Sequence, residues 1–304
     1  MSIRNTELKA VNLKELLVRI QYKEISKIVN DIGDRFPYAI IKGIPLSLMS
    51  YNDFFMRKIG DVDFLIDKKN IMEFDGILKK NGFDCEYSNR EDKLIAMLYS
   101  HQTRPYVKNT PISKTFIDVN YDIFWGEYTG KRINIEEFLS NSIVVNIFGM
   151  EIRTLSPLKM LVAVILHHYK ETNSLYHLAT HNSIRQEMFC DVYNLVKNNI
   201  SIISVDAVVD ICMRYEITSY AYYILLYTYQ LYPDEDILKY VDALRNEEGE
   251  KLLPCYGLDA KERKGWTCDF HTRIDDTDLF ALIQTQLSEE DIKKIERSKL
   301  IFGE

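Results

Sequence analysis

With 304 residues, 46% hydrophobic and 27% charged, the chain is long enough for two domains and a sizeable core, which excludes a disordered or fibrous protein. Its net charge of −7 argues against a general, sequence-independent grip on nucleic acid, which runs on Lys and Arg. No stretch approaches the roughly 20 consecutive apolar residues of a membrane helix, and the start Met1-Ser2-Ile3-Arg4-Asn5-Thr6-Glu7 lacks an apolar signal core; five scattered cysteines without a CxxC fit reduced thiols in a cytoplasm.

From about Glu7 to Ile32 the apolar residues Leu13, Leu16, Leu17, Ile20, Ile25, Ile28 and Val29 recur at helical spacing. Tyr38-Ala39-Ile40-Ile41 reads as a short buried strand, broken by Lys42-Gly43, and Ile44 to Met49 as the start of a helix. A polar loop, Ser50 to Arg57, leads into Gly60-Asp61-Val62-Asp63-Phe64-Leu65-Ile66, an apolar strand interrupted by two acids. Asn70 to Asn81 is an amphipathic helix stopped by Gly82. Phe83 to Tyr87 alternates like a strand, Leu94 to Tyr99 is a short apolar segment, and Thr115 to Trp125 reads as a long strand. Ser142 to Phe148 and Glu151 to Arg153 flank Gly149 like a hairpin.

The character then changes. Ser156-Pro157 is a helix opening, with a capping residue followed by a proline that the first helical position tolerates. Helical pattern follows in Leu158 to Tyr169, Ile184 to Val196, Val205 to Tyr215, Ser219 to Tyr232 and Glu235 to Leu244, with a mixed tail from about Gly249. A domain border is expected near 155, giving residues 1–155 with a sheet and 156–304 mainly helical, an α+β chain overall.

Asp61 and Asp63 carry the chemistry. Strand side chains alternate faces, so both acids point the same way, roughly 6–7 Å apart. Two carboxylates held side by side need a positive partner, and a hard divalent cation such as Mg²⁺ takes carboxylate oxygen. Paired acids on a strand therefore point to phosphoryl or nucleotidyl transfer. A third carboxylate is expected from a neighbouring strand. In Phe116-Ile117-Asp118-Val119-Asn120-Tyr121-Asp122 the alternation puts Asp118, Asn120 and Asp122 on one face, and periodicity leaves Asp118 and Asp122 both open.

Lys42-Gly43, then Tyr51, then Arg57 four residues before Asp61-Val62-Asp63, then Asp118-Val119-Asn120-Tyr121, resembles the uncharacterised nucleotidyltransferase family of the DNA polymerase β-like nucleotidyltransferase superfamily. Members carry Asp-Leu-His-Trp in the last strand, so the resemblance selects Asp118, while Asn120 and Tyr121 depart from the pattern. It covers roughly residues 38–125, with a softer match at His181, Arg185 and Asp191. It implies a polymerase β-like mixed sheet with flanking helices, followed by a helical domain. The implied reaction moves a nucleoside monophosphate from an NTP to a hydroxyl on a small molecule or protein. Two Mg²⁺ ions on Asp61, Asp63 and Asp118 would serve it, Asp118 being best placed to accept the hydroxyl proton. Lys42, Gly43, Ser47 and Arg57 would meet the triphosphate, and His181 and Arg185 the substrate. The acidic balance argues against a nucleic-acid acceptor. His177 and His181 stand four residues apart, but no His-Glu-x-x-His motif accompanies them.

Overall fold

The computed structural model describes residues 2–57, 60–85, 87, 91, 98, 100–125, 132–276 and 278–302, with side chains from residue 13 onward. A long first helix, α1 (Ser2–Ile32), turns one apolar stripe inward. Val18, Tyr22, Ile25, Ile28 and Ile32, spaced three or four apart, are all buried. Strand β1 (Tyr38–Ile41) follows, then helix α2 (Gly43–Tyr51). After β2 (Val62–Ile66), Asp67 accepts the Lys69 N–H at 2.8 Å and caps a short 3₁₀ turn that leads into α3 (Ile71–Lys80). Strands β3 (Tyr106–Asn109) and β4 (Lys114–Asn120) complete a four-stranded sheet of order β1-β2-β4-β3. β2 and β4 run parallel; the two outer pairs are antiparallel. The sheet is therefore mixed, as expected.

Two expectations shift, and a third is untested. β4 ends at Asn120 rather than running to Trp125, because the N–H groups of Tyr121 and Asp122 both turn back to the His101 carbonyl. Of the strand expected over Phe83 to Tyr87, the described residues form one isolated bridge, Asp84 to Val107. The apolar segment Leu94 to Tyr99 lies outside the described residues apart from Leu98, which is exposed.

Because strand side chains alternate, the sheet separates two cores. Tyr38, Ile40, Val62, Phe64, Ile66, Ile117 and Val119 pack with α1, α3 and a hairpin made of β5 (Ile143–Ile147) and β6 (Met150–Thr154). Ala39, Ile41 and Leu65, on the other face, join a second core with α2, Phe124, Trp125 and the helices that follow. Between Trp125 and the hairpin lies the short helix α4 (Ile135–Leu139).

The helical region begins with α5 (Pro157–Asn173), buried along nearly its whole length. Then come α6 (Leu175–Ala179), α7 (Gln186–Asn198), α8 (Val205–Arg214), α9 (Thr218–Leu231) and α10 (Glu235–Leu244). The tail resolves into α11 (Glu247–Leu252), a two-residue strand pair at Cys255–Tyr256 and Lys264–Gly265, α12 (Phe270–Asp275), α13 (Leu279–Ile283) and α14 (Glu289–Phe302). Among the described residues, no helix is long and apolar enough to cross a membrane.

Candidate active site

Register builds the acid cluster. Asp63 on β2 pairs with Asp118 on β4 in the parallel ladder and with Ile41 on antiparallel β1. The two carboxylates therefore stand side by side on one face, and Asp61, just before β2, shares that parity. Asp61 is exposed, Asp63 buried and Asp118 half-buried, and all three line one cleft of about 380 Å³. Asp122 goes elsewhere. Beyond the end of β4 it accepts the Phe124 N–H at 3.0 Å and faces Arg132 at 3.7 Å. The choice that periodicity left open is thus one of strand length, which alternation alone does not contain.

Lys42 reaches this cluster through an unusual backbone. Its φ of 58° is rare for a residue with a side chain. The kink lets α2 start directly at the end of β1, with Leu46 N–H bonded to the Lys42 carbonyl at 3.1 Å. The ammonium lies 2.7 Å from Asp63 Oδ1. Asn120 Nδ2 donates to the same oxygen at 3.2 Å. The position that departs from the family pattern thus still touches the acid pair.

One ammonium among three carboxylates leaves surplus negative charge. Burial, with Asp63 and Asp61 alongside, holds the Asp118 carboxyl well above the ordinary carboxylate range. Burial raises Asp63 too, although Lys42 opposes it. Burial alone would lower Lys42, but Asp63 and Asp61 outweigh it and hold the ammonium above its ordinary value. Asp118 Oδ1 is buried and has no hydrogen-bond partner among the described residues. An orphaned carboxylate oxygen, a lysine on the neighbouring acid and three converging hard oxygen donors fit a divalent cation such as Mg²⁺.

Much of the remaining lining comes from far along the chain. His167, Lys170 and Glu171 on α5, Tyr176 and His177 on α6, then Asn182, Arg185 and Phe302 line the same cleft as the acids. Glu171 binds His167 at 3.0 Å and Arg185 at 3.2 Å, and Lys170 Nζ meets His101 Nε2 at 3.0 Å. Burial, then the charges of Lys42 and Lys170, push His167 well below the usual imidazole range. His167, His168 and Glu171 offer metal-type donor atoms within 4.8 Å of one another.

Among the triphosphate candidates, Lys42, Gly43 and Arg57 line the cleft. Arg57 is held by Asp191 on α7 at 2.7 Å, and Tyr51 donates to the other oxygen of Asp191 at 2.8 Å. Ser47 is not brought to the cleft: it is fully buried on α2, where its hydroxyl receives the Arg57 N–H at 3.4 Å. Of the substrate pair, Arg185 lines the cleft and His181 does not. α6 ends at Ala179, and exposed His181 turns to Asp278 at 3.6 Å. It shares no helical face with buried His177.

Asn120, Lys170, Glu171 and Phe302 were not singled out from sequence for these positions. Asn120 had a readable signal, since it shares the parity of Asp118. The others arrive through helix packing, which leaves no local motif.

The family model described as uncharacterised nucleotidyltransferase matches residues 5–233. A solved antigenic nucleotidyltransferase-like protein from Paracoccidioides brasiliensis is similar at 17% identity over 64% of this chain and 89% of its own, with a TM-score of 0.36. Comparison with curated proteins gives no match. By the family match, over well more than half its length, the chain belongs to the uncharacterised nucleotidyltransferase family.

Proposed function

We propose that the protein transfers a nucleoside monophosphate from an NTP to a hydroxyl acceptor, a small molecule or a protein, in a cytoplasm. The observation that carries this is the meeting of Asp61, Asp63 and Asp118 with four basic side chains, Lys42, Arg57, Lys170 and Arg185, in one cleft. The carboxylates would hold two Mg²⁺ ions, Asp61 and Asp63 both of them and Asp118 one. Bound there, Mg²⁺ supplies charge neutralisation of the triphosphate and acidification of the attacking hydroxyl.

The chain's own groups do the rest. Lys42 and Arg57 face the outer phosphates, and Gly43 lets backbone approach them without a Cβ in the way. Asp118 takes the acceptor proton, a role that a carboxyl with raised proton affinity suits. The acceptor oxygen bonds the α-phosphorus, the bond from that phosphorus to the bridging oxygen breaks, and pyrophosphate leaves with the electron pair. Residues 1–155 form the catalytic unit in this reading, and 156–304 supply much of the remaining lining.

The test is pyrophosphate release from each NTP with a panel of hydroxyl acceptors. Asp61→Asn, Asp63→Asn and Asp118→Asn should each lose activity by at least about 10³-fold, whereas Asp122→Asn stays active. Turnover surviving in the three variants would remove these acids from the reaction.

A further inference from the structure

The carboxylates border two cavities of opposite character. The cleft that holds Lys42 is polar, lined by four cations and by the carboxylates of Asp61, Asp63, Asp118 and Glu171. A second cavity, about 620 Å³, shares Asp61 and Asp118 with it but is lined by neither Asp63 nor Lys42. Most of its wall area is apolar, from Leu17 and Val18 on α1 and from Ile112 and Phe116 in the β3–β4 hairpin, with Lys14, Gln21, Ser113 and Lys114 also lining it. Two of these are large apolar side chains turned toward open space, Ile112 at 64% exposure and Phe116 at 39%.

We infer that this second cavity is the acceptor site, and that the acceptor is a small alcohol or phenol with an apolar alkyl or aryl body. The inference rests on the nucleotidyl-transfer reading. A triphosphate belongs with the four cations, because its charge is costly to desolvate without them. The acceptor hydroxyl must reach Asp118 from a direction the triphosphate leaves free. Asp61 and Asp118 are the carboxylates common to both cavities, so a hydroxyl entering from the apolar side meets the proton-accepting group directly. A sugar would turn several hydroxyls against Leu17, Val18, Ile112 and Phe116, leaving them unpaired. The volume suits a small molecule.

The experiment uses the full chain with 1-naphthol as probe, its binding read by fluorescence without nucleotide. Mg²⁺–NTP binding is read separately by calorimetry, and labelled α-phosphate transfer to naphthol in the complete mixture. Ile112→Ser and Phe116→Thr alter rim residues while leaving the buried core intact. Each should weaken naphthol binding about tenfold and raise its KM as an acceptor to match, with NTP affinity within about twofold of the parent. Loss of NTP affinity in these variants would overturn the inference and assign the cavity to the nucleobase. Unchanged naphthol affinity, or equal competition by glucose, would overturn it as well. A parent protein that binds naphthol but no Mg²⁺–NTP would remove the nucleotidyl-transfer reading, and the acceptor assignment with it.

Discussion

Lys42 occupies the place where a cation is most needed. Its ammonium sits 2.7 Å from Asp63 Oδ1, and both side chains are largely withdrawn from water. Removing one partner of such a pair leaves a buried charge uncompensated, at a cost of roughly 3 kcal/mol or more. Lys42→Met is therefore expected to lower the melting temperature in the absence of metal, and Mg²⁺ should restore part of the loss by taking over Asp63. Scanning calorimetry with EDTA and with Mg²⁺ checks this. Equal destabilisation in both conditions would mean that Lys42 is not standing in for a cation. His168 poses the opposite problem. Both ring nitrogens are buried without a partner among the described residues, and burial, then neighbouring His167, push its pKa well below the usual imidazole range. The sign follows from linkage. A histidine whose folded pKa is depressed contributes stability above about pH 6.5, and loses it as pH falls from there toward the folded value. His168→Leu removes both the unsatisfied nitrogens and that proton uptake. It should melt at or above the parent temperature at pH 7 and lose less on going to pH 5; a steeper loss than the parent's would contradict the assignment.

Among elements, the junction of α2 with α7 decides where Arg57, proposed to face the triphosphate, points. Tyr51 ends α2, Asp191 lies on α7, and Arg57 in the loop between α2 and β2 bonds Asp191 at 2.7 Å. Asn199 Nδ2 ties the same helices by donating to the Met49 carbonyl at 3.0 Å. Asp191→Ala should free Arg57 and raise the KM for NTP more than it lowers kcat, because the arginine loses its orientation rather than its charge. A kcat loss with unchanged KM would argue against a positioning role. This junction also marks the limit of what sequence can show. The strand pattern around Asp63 and Asp118 was readable because a period of two residues fixes which face each side chain takes. The end of β4 was not, because it depends on the His101 carbonyl, a partner from outside the strand. Tyr51, Arg57 and Asp191 were each noticed along the chain, but their meeting depends on how two helices pack. The family resemblance offers Ser47 and His181 as well; one is fully buried on α2, and the other lies past a helix end.

On the scale of the whole molecule, the sheet displays the acids and distant segments close the site over them. The family match stops at residue 233, yet Phe302, on the last helix, lines the cleft. Its ring lies 5.0 Å from that of Tyr176, and Arg104 holds the helix end through the Leu300 and Ile301 carbonyls. The mixed tail, hard to read from composition, thus supplies part of the site wall. Phe302→Ala should leave the melting temperature within about 2 °C, since this ring is only partly buried, while raising the KM for NTP or acceptor several-fold. Unchanged kinetic constants would show that the tail is scaffold alone. If Asp61, Asp63 and Asp118 together create a site for a metal-bound triphosphate, nucleotide affinity depends on the metal and on these acids. Titrating a non-hydrolysable NTP into the protein by calorimetry, with Mg²⁺ and again with EDTA, tests it most directly. Binding is expected with Mg²⁺, at least about tenfold weaker binding in EDTA, and loss of that difference in Asp63→Asn; equal affinity in both buffers, or a metal effect that survives in Asp63→Asn, would rule such a site out.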